Sequence, residues 1–364
     1  MAVGGENRLN LLANGWDATL GFGSFNAVEF GGVIAALLLA LAILSAAKPL
    51  GRLLHVVDVP DNRRKTHERP TPLVGGLAMV VPLLLWTAAS MIWPALAQNA
   101  RIPLAMLLCG TSASAVGFVD DVRPYSARLR LVLLLLISAA ALFLSPVLLP
   151  AQFHWGHLAT THVSPWLAYL LVPIGMTGFI NSVNMADGQN GCVAGMFVIW
   201  SSCAILAAGE GTADLAAILL ATGLAVLAFN LAGKVFLGGA GAYGVAFIFA
   251  LLILRLHERW NVSAETIIAW LFVPVADCLR LLIARPLRGV SPLEGDRDHF
   301  HHRLEDRFGA STGLAIYLGM VAAGSYTATL APALAPLCIG FEAVLYGGLI
   351  WMTQARSAHA RRAV

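Results

Sequence analysis

Charge is what this chain has least of. Asp, Glu, Lys and Arg make up 12% of its 364 residues, against about 25% in a soluble domain. Mean hydropathy is +0.76. A soluble globular fold is therefore excluded, and the modest net charge of +3 gives no reason to expect a nucleic-acid partner. Cysteine is sparse as well. Cys109, Cys192, Cys203, Cys278 and Cys338 lie in or beside apolar runs with no CxxC spacing, which argues against a disulfide framework and against a zinc site. The stretch before Asn26 lacks a basic start and a clear apolar core, so a secretory signal is not expected. Low-complexity segments, a soluble domain and a convincing internal repeat are missing too.

What remains is a succession of apolar runs. About eleven can be marked, at 28–47, 73–95, 102–119, 129–149, 165–183, 192–208, 214–232, 240–256, 264–284, 312–333 and 336–353. Most approach the roughly 20 residues needed to cross a bilayer as a helix. The fold class is all-α polytopic membrane protein. With the N-terminus outside, the loops holding Lys48, Arg63, Arg64, Lys65, Arg69, Arg123, Arg128, Arg130, Lys234, Arg285, Arg288, Arg297, Arg303 and the tail arginines fall inside. Only Arg8, Arg101, Arg255 and Arg259 fall outside. The positive-inside rule selects that register and puts the C-terminus in the cytoplasm. Three regions follow: an extracytoplasmic segment 1–27, a membrane domain 28–353 with its functional loops inside, and a basic tail 354–364.

The polar residues that do occur are concentrated on the inside loops. Asp120 and Asp121 stand side by side at the end of one span, with Arg128 and Arg130 a few residues on. A salt-bridged helix end would account for one acid. Two adjacent carboxylates instead suit a hard cation such as magnesium, which takes oxygen ligands together with substrate phosphates. The loop Val57–Gly76 carries Arg63, Arg64, Lys65 and His67 among prolines and ends on Gly75-Gly76. Cations near lipid headgroups suit a phosphate, and paired glycines let a backbone approach a ligand or helix closely. Asn181, Asn184 and Asp187 recur at helical spacing, so they share a face that should avoid lipid; Gly188 then opens a loop through Asn190 and Gly191. Lys234–Ala242 reads as a glycine-rich packing turn. In the last large loop, Arg297, His299, His301 and His302 stand close together. Their spacing matches no zinc pattern, and imidazoles beside guanidinium groups better suit a pyrophosphate or sugar phosphate.

Taken in order, these segments resemble the bacterial polyprenyl-phosphate N-acetylhexosamine-1-phosphate transferases (glycosyltransferase 4; undecaprenyl-phosphate GlcNAc-1-phosphate transferase-like). The resemblance covers roughly Val57 to Leu304 through five motifs. They are Arg64-Lys65-x-His67 with Pro70-Thr71-Pro72 and Gly75-Gly76; Asp120-Asp121; Asn181-x-x-Asn184-x-x-Asp187-Gly188; Val235-Phe236-Leu237-Gly238; and Ser291-Pro292 with Asp296-Arg297-x-His299-x-His301-His302. Any one is weak, and all five in order are specific. The His-x-His-His form resembles the N-acetylhexosamine branch rather than the peptidoglycan translocase.

The resemblance implies a bacterial inner-membrane enzyme with its site facing the cytoplasm, starting a cell-surface polysaccharide pathway. It would transfer GlcNAc-1-phosphate, or that of another N-acetylhexosamine, from a UDP-sugar to undecaprenyl phosphate and release UMP. Magnesium is the implied cofactor, with manganese as the alternative. The bilayer is a partner, and a homodimer is compatible with the family. By position, Asp120, Asp121 and Asp187 are the expected catalytic acids, and Asn184 with Asp121 the expected metal ligands. Lys65, His67, Asn181, Asn190, Arg297, His299, His301 and His302 are the expected substrate-binding residues.

Two positions depart from the family pattern. Gly239 stands where the family carries a metal-binding Asp, and Asn190 where it carries a second acid. Losing an anionic ligand should weaken magnesium binding, whereas an amide at 190 can still hydrogen-bond a base or ribose. A silent homologue that binds UDP-sugar or prenyl phosphate as an assembly partner is the alternative that Gly239 raises. A transporter is a third reading; it predicts polar groups at mid-membrane depth rather than at one face.

Overall fold

Inside a bilayer no water is available to satisfy backbone N–H and C=O groups, so apolar segments that cross it must close their hydrogen bonds internally as helices. The computed structural model describes residues 27–60, 69–93, 101–156, 159–208, 213–293 and 296–360, and helices dominate it. They are α1 (Ala27–Ser45), α2 (Ala47–Leu53), α3 (Gly75–Ile92), α4 (Arg101–Val122), α5 (Ala127–Leu144), α6 (Pro165–Ala186), α7 (Cys192–Ala207) and α8 (Ala213–Leu231). Then come α9 (Gly239–Trp260), α10 (Ala264–Leu287), α11 (Phe300–Phe308), α12 (Ala310–Leu330) and α13 (Ala335–Ala360). Two small antiparallel pairs complete the described chain: β1 (Val57–Asp58) with β2 (Thr71–Pro72), and β3 (Gln152–Trp155) with β4 (Ala159–His162).

Ten of these helices are long and apolar enough to cross a membrane. The chain is a multi-pass, all-α membrane protein. The eleventh expected span, α7, is an apolar helix of 16 residues, about 24 Å at 1.5 Å per residue. That is short for a hydrocarbon core of about 30 Å, but α7 is largely buried within the protein and does not depend on reaching both surfaces. The connection 150–164 contains the β3–β4 hairpin. One further expectation is corrected: part of the histidine loop folds into α11, with Phe300, His301 and Leu304 turned inward.

The bundle is built around α9. Of its membrane-length stretch 89% is buried, against 17% for α1 and 22% for α5. The hydroxyls of Thr87, Ser114, Thr177 and Thr222 each bond the carbonyl four residues back, which satisfies them within their own helices. Deep in the core Trp200 stacks on Phe249 and donates its indole N–H to the Trp270 carbonyl at 2.7 Å. All five cysteines are free thiols.

Close helix approach at one end of α9 positions everything that follows. The first N–H groups of α3 have no partner within their own helix. Gly75 and Gly76 donate instead to the carbonyls of Phe236 and Leu237, at 2.9 and 2.8 Å, and Phe236 donates back to Pro72. A Cβ on Gly76 would lie 2.0 Å from Cα of Gly241, so α3 and α9 touch backbone to backbone. Here the paired glycines serve a helix contact. Gly76→Ala should destabilise the protein by about 1–3 kcal/mol through overpacking. Gly178→Ala, with nothing within 4 Å of the added carbon, should leave the melting midpoint in detergent near wild type. Equal midpoints for the two variants would contradict the close crossing.

Candidate active site

The residue before α9, Gly238, has φ +77°, and the helix starts abruptly behind it. Its first N–H groups therefore point outward, and a helix N-terminus attracts anions. Two carboxylates from different helices occupy it. Asp121, at the end of α4, accepts from Gly239 N at 3.0 Å and Ala240 N at 3.3 Å. Asp187, just past α6, accepts from the Gly238 N–H. Gly117, one turn before Asp121, makes this possible, because a Cβ there would collide with the Gly239 carbonyl at 2.0 Å.

Around this point lies a cleft of about 700 Å³, within the range that holds small ligands. Asp120, Asp121, Asn184, Asp187, Asn190, Arg297 and His302 all line it. These expected site residues come from three separate stretches of sequence. Asp120 is oriented by Arg130, whose Nη1 lies 2.5 Å from Oδ2, and by the Tyr125 N–H at 3.3 Å. Asn190 is held by Asn230, which accepts from Gly191 N at 2.5 Å and donates to Val235 O at 2.8 Å and to Asn190 Oδ1 at 3.4 Å.

Three expected residues do not line the cleft. Asn181 turns towards α10, with its amide nitrogen 3.1 Å from the Met185 sulfur and 3.7 Å from that of Cys278. Asn181 lies about one turn deeper in α6 than Asn184, where its neighbour is α10 rather than the cleft. His299 is engaged on both ring nitrogens, by Asp277 and Arg285. His301 is buried behind the Asp187-Gly188 turn; a Cβ on Gly188 would lie 2.3 Å from its Nε2. Burial, with His302 and His299 beside it, holds the His301 imidazole well below its ordinary pKa, so it is neutral. Lys65 and His67 lie outside the described residues.

The cleft also recruits residues that the sequence alone did not single out: Asp58 on β1, Gln189, Asn230 and Glu305. Asp58 and Gln189 lie just outside the recognised motifs but within the same polar loops, Val57–Gly76 and the one opened by Gly188, so a signal for them existed. Asn230 and Glu305 carried no signal beyond being polar next to apolar runs.

Five carboxylates (Asp58, Asp120, Asp121, Asp187 and Glu305) and one guanidinium (Arg297) stand among the lining side chains. Like charges packed together resist ionisation. At Asp187, burial first and the Asp121 charge second push the pKa from 3.8 to about 7, against the opposing Gly238 N–H. Among the described residues no group of three or more His, Cys, Asp or Glu is arranged to hold a metal. Asp121, Asp187 and Asn184 nonetheless form a set of hard oxygen donors, and magnesium commonly takes only one or two carboxylates plus substrate phosphates. The donor set fits that ion.

An acid-lined cleft at one end of a multi-pass helical bundle, with an arginine and a histidine on its wall, suits a membrane enzyme whose phosphorylated substrates arrive with a cation. Known proteins agree. Residues 103–257 match the family model described as glycosyl transferase family 4. The probable undecaprenyl-phosphate N-acetylglucosaminyl 1-phosphate transferase of Bacillus subtilis (strain 168) is 29% identical over 295 residues, covering 78% of this chain and 80% of its own. The undecaprenyl-phosphate alpha-N-acetylglucosaminyl 1-phosphate transferase of Yersinia pestis is 28% identical over 287 residues, 73% of each chain. The phospho-N-acetylmuramoyl-pentapeptide-transferase of Lacticaseibacillus paracasei is 28% identical over 213 residues, 54% of this chain and 65% of its own. The chain is a membrane-bound transferase that is similar to glycosyl transferase family 4 over residues 103–257.

The raised Asp187 pKa makes stability depend on pH. A carboxyl that holds its proton more tightly when folded stabilises the fold below its unfolded pKa of 3.8, and that contribution is lost as pH rises through about 7. In buffer free of divalent cations, the wild-type melting midpoint should fall between about pH 5 and about pH 8 more than that of Asp187→Asn. Parallel curves for the two proteins would remove Asp187 as the cause.

Proposed function

We propose that the enzyme transfers an N-acetylhexosamine-1-phosphate, most simply GlcNAc-1-phosphate, from a UDP-sugar to undecaprenyl phosphate. The products are a lipid pyrophosphate sugar and UMP. The observation that carries this reading is the convergence of Asp120, Asp121, Asn184, Asp187, Arg297 and His302 on one cleft at the end of the bundle. The relatives named above act on undecaprenyl phosphate or on a phospho-sugar peptide. The reaction those names describe is phosphoryl transfer, which needs in-line positioning and charge neutralisation more than covalent chemistry.

In this reading Asp120, oriented by Arg130, orients and deprotonates the acceptor phosphate. Arg297 and His302 face the donor pyrophosphate from the α11 side, and Asn190 faces the nucleoside. Burial and the Arg297 charge lower the His302 pKa, so the ring meets a ligand neutral and Arg297 carries the positive charge. Asp121, Asp187 and Asn184 would hold magnesium, or manganese in its place. Bound there, the ion supplies the positive charge that lets two polyanions share an acid-lined cleft. The cleft end of the bundle faces the cytoplasm of a bacterial inner membrane, consistent with the distribution of Lys and Arg among the loops.

Gly239 favours one other reading, a silent homologue that binds UDP-sugar or prenyl phosphate without turnover. Purified protein with magnesium, UDP-GlcNAc and undecaprenyl phosphate should release UMP. Asp120→Asn should lose about 10²- to 10⁴-fold in kcat, the range of a positioned proton-transfer group. Silence of the wild type with every UDP-N-acetylhexosamine, and turnover in Gly239→Asp, would establish the binder instead.

A further inference from the structure

Behind the cleft wall lies a second cluster of charge that the transfer reaction does not use directly. Its centre is Asp277, buried in α10. Oδ1 accepts from Arg280 Nη2 at 2.8 Å, Arg280 Nε at 3.1 Å and the Tyr346 hydroxyl at 3.0 Å. Oδ2 accepts from Phe300 N at 3.1 Å and from His299 Nδ1 at 3.2 Å. A carboxylate offers about four lone-pair sites, so this one is saturated.

The Oδ2 half of the carboxylate governs α11. His299 precedes that helix, and its own side chain does not cap it. Phe300 N is one of the helix-start N–H groups that lack an internal partner, and Asp277 supplies one from another helix. The second ring nitrogen of His299, Nε2, lies 3.4 Å from Arg285 Nη2. A guanidinium can only donate, so Nε2 accepts, and the ring hydrogen sits on Nδ1 facing Asp277. The His299 ring stacks on His301 at 5.6 Å and 15°, and the His301 ring lies 4.1 Å from that of His302. A line of three imidazoles therefore runs from Asp277 to the cleft. Its far end presses on the Asp187-Gly188 turn, where a Cβ on Gly188 would meet His301 Nε2 at 2.3 Å and His302 Nε2 at 3.0 Å.

We propose that Asp277 is a positioning residue for the cleft: it fixes the ring hydrogen of His299 and the start of α11, and through the ring stack sets where His302 stands opposite the Asp187-Gly188 turn. Asp277 touches no substrate. Its effect on turnover rests on the transferase reading, whereas its effect on the His299 ring does not.

The test compares Asp277→Asn with Tyr346→Phe. Asn keeps the size of the side chain but replaces one acceptor with a donor, so it cannot serve both halves of the network. Tyr346→Phe removes one bond to Oδ1 and leaves the His299 and Phe300 bonds alone. Melting midpoints, kcat and KM for UMP release, and ring ¹⁵N shifts of ¹⁵N-histidine-labelled protein in detergent are measured on both. Asp277→Asn should lose about 10- to 100-fold in kcat, by analogy with the loss of partners that orient metal-ligating histidines, and its His299 signals should leave the Nδ1–H pattern. Tyr346→Phe should keep kcat and the His299 signals near wild type even where its melting midpoint drops. The proposal is overturned if the two variants lose kcat in proportion to their melting midpoints, or if the His299 signals of Asp277→Asn are unchanged. Should Asp277→Asn not fold, Asp277→Glu carries the test, because the added methylene displaces the carboxylate while keeping its charge. Wild-type kcat and His299 signals in folded Asp277→Glu overturn the proposal. A wild-type protein that releases no UMP would sink the transferase reading, and the ring signals would still decide the role of Asp277.

Discussion

The site depends on one electrostatic contact, that between the N-terminus of α9 and the carboxylates of Asp121 and Asp187. A buried helix start leaves N–H groups that must find acceptors. Here they find two acids, each at the end of a different helix. The contact satisfies the backbone of the central helix and places α4 and α6 against it. It also brings two negative charges together at a spot where they repel. The strain is visible at Asp187, whose pKa rises to about 7 under burial and the Asp121 charge. A site arranged in this way is poised for positive charge, and that follows from how the bundle closes rather than from any one residue.

Much of this was legible in the sequence. Every expected apolar run became a helix, because a bilayer leaves an apolar segment of that length little else to do. Asp120, Asp121, Asn184 and Asp187 read as one site, since clustered acids and amides beside membrane runs have few packing uses. The structure instead separates residues that sequence spacing grouped. Asn181 shares the helical period of Asn184 and Asp187, yet it faces α10, because period fixes direction around the helix and says nothing of which neighbour lies at each depth along it. His299, His301 and His302 are near-identical in sequence terms. Only His302 lines the cleft, because α11 turns His301 inward behind Gly188 and Asp277 captures His299.

Asp277 is the more instructive residue. An acid inside an apolar run is expensive and marks function by default, so Asp277 with Arg280 three residues on was a readable signal. It lies outside all five motifs, however. Its partners Tyr346, His299 and Arg280 and the neighbouring Arg285 are brought to it by the packing of α10, α11 and α13, and no local spacing joins them all. Networks of this kind are legible in part from sequence, as an anomaly, but their purpose becomes clear only once the partners are in place.

Gly239 is the departure that most suggests inactivity, and its surroundings argue for a different emphasis. A side chain at this position would begin 2.9 Å from the Gly117 carbonyl and 3.0 Å from Asp121 Oδ1. Both distances are tighter than ordinary van der Waals contact. A carboxylate there would have to displace Asp121 from the N–H groups it now holds, and would add a third negative charge to a pair that already repels. The glycine therefore does more than delete a ligand. It leaves room for Asp121 to reach Gly239 N and Ala240 N, so the start of α9 keeps a carboxylate although residue 239 no longer supplies one. On that geometry the negative charge at the start of α9 comes from Asp121 and Asp187, on neighbouring helices, rather than from α9 itself.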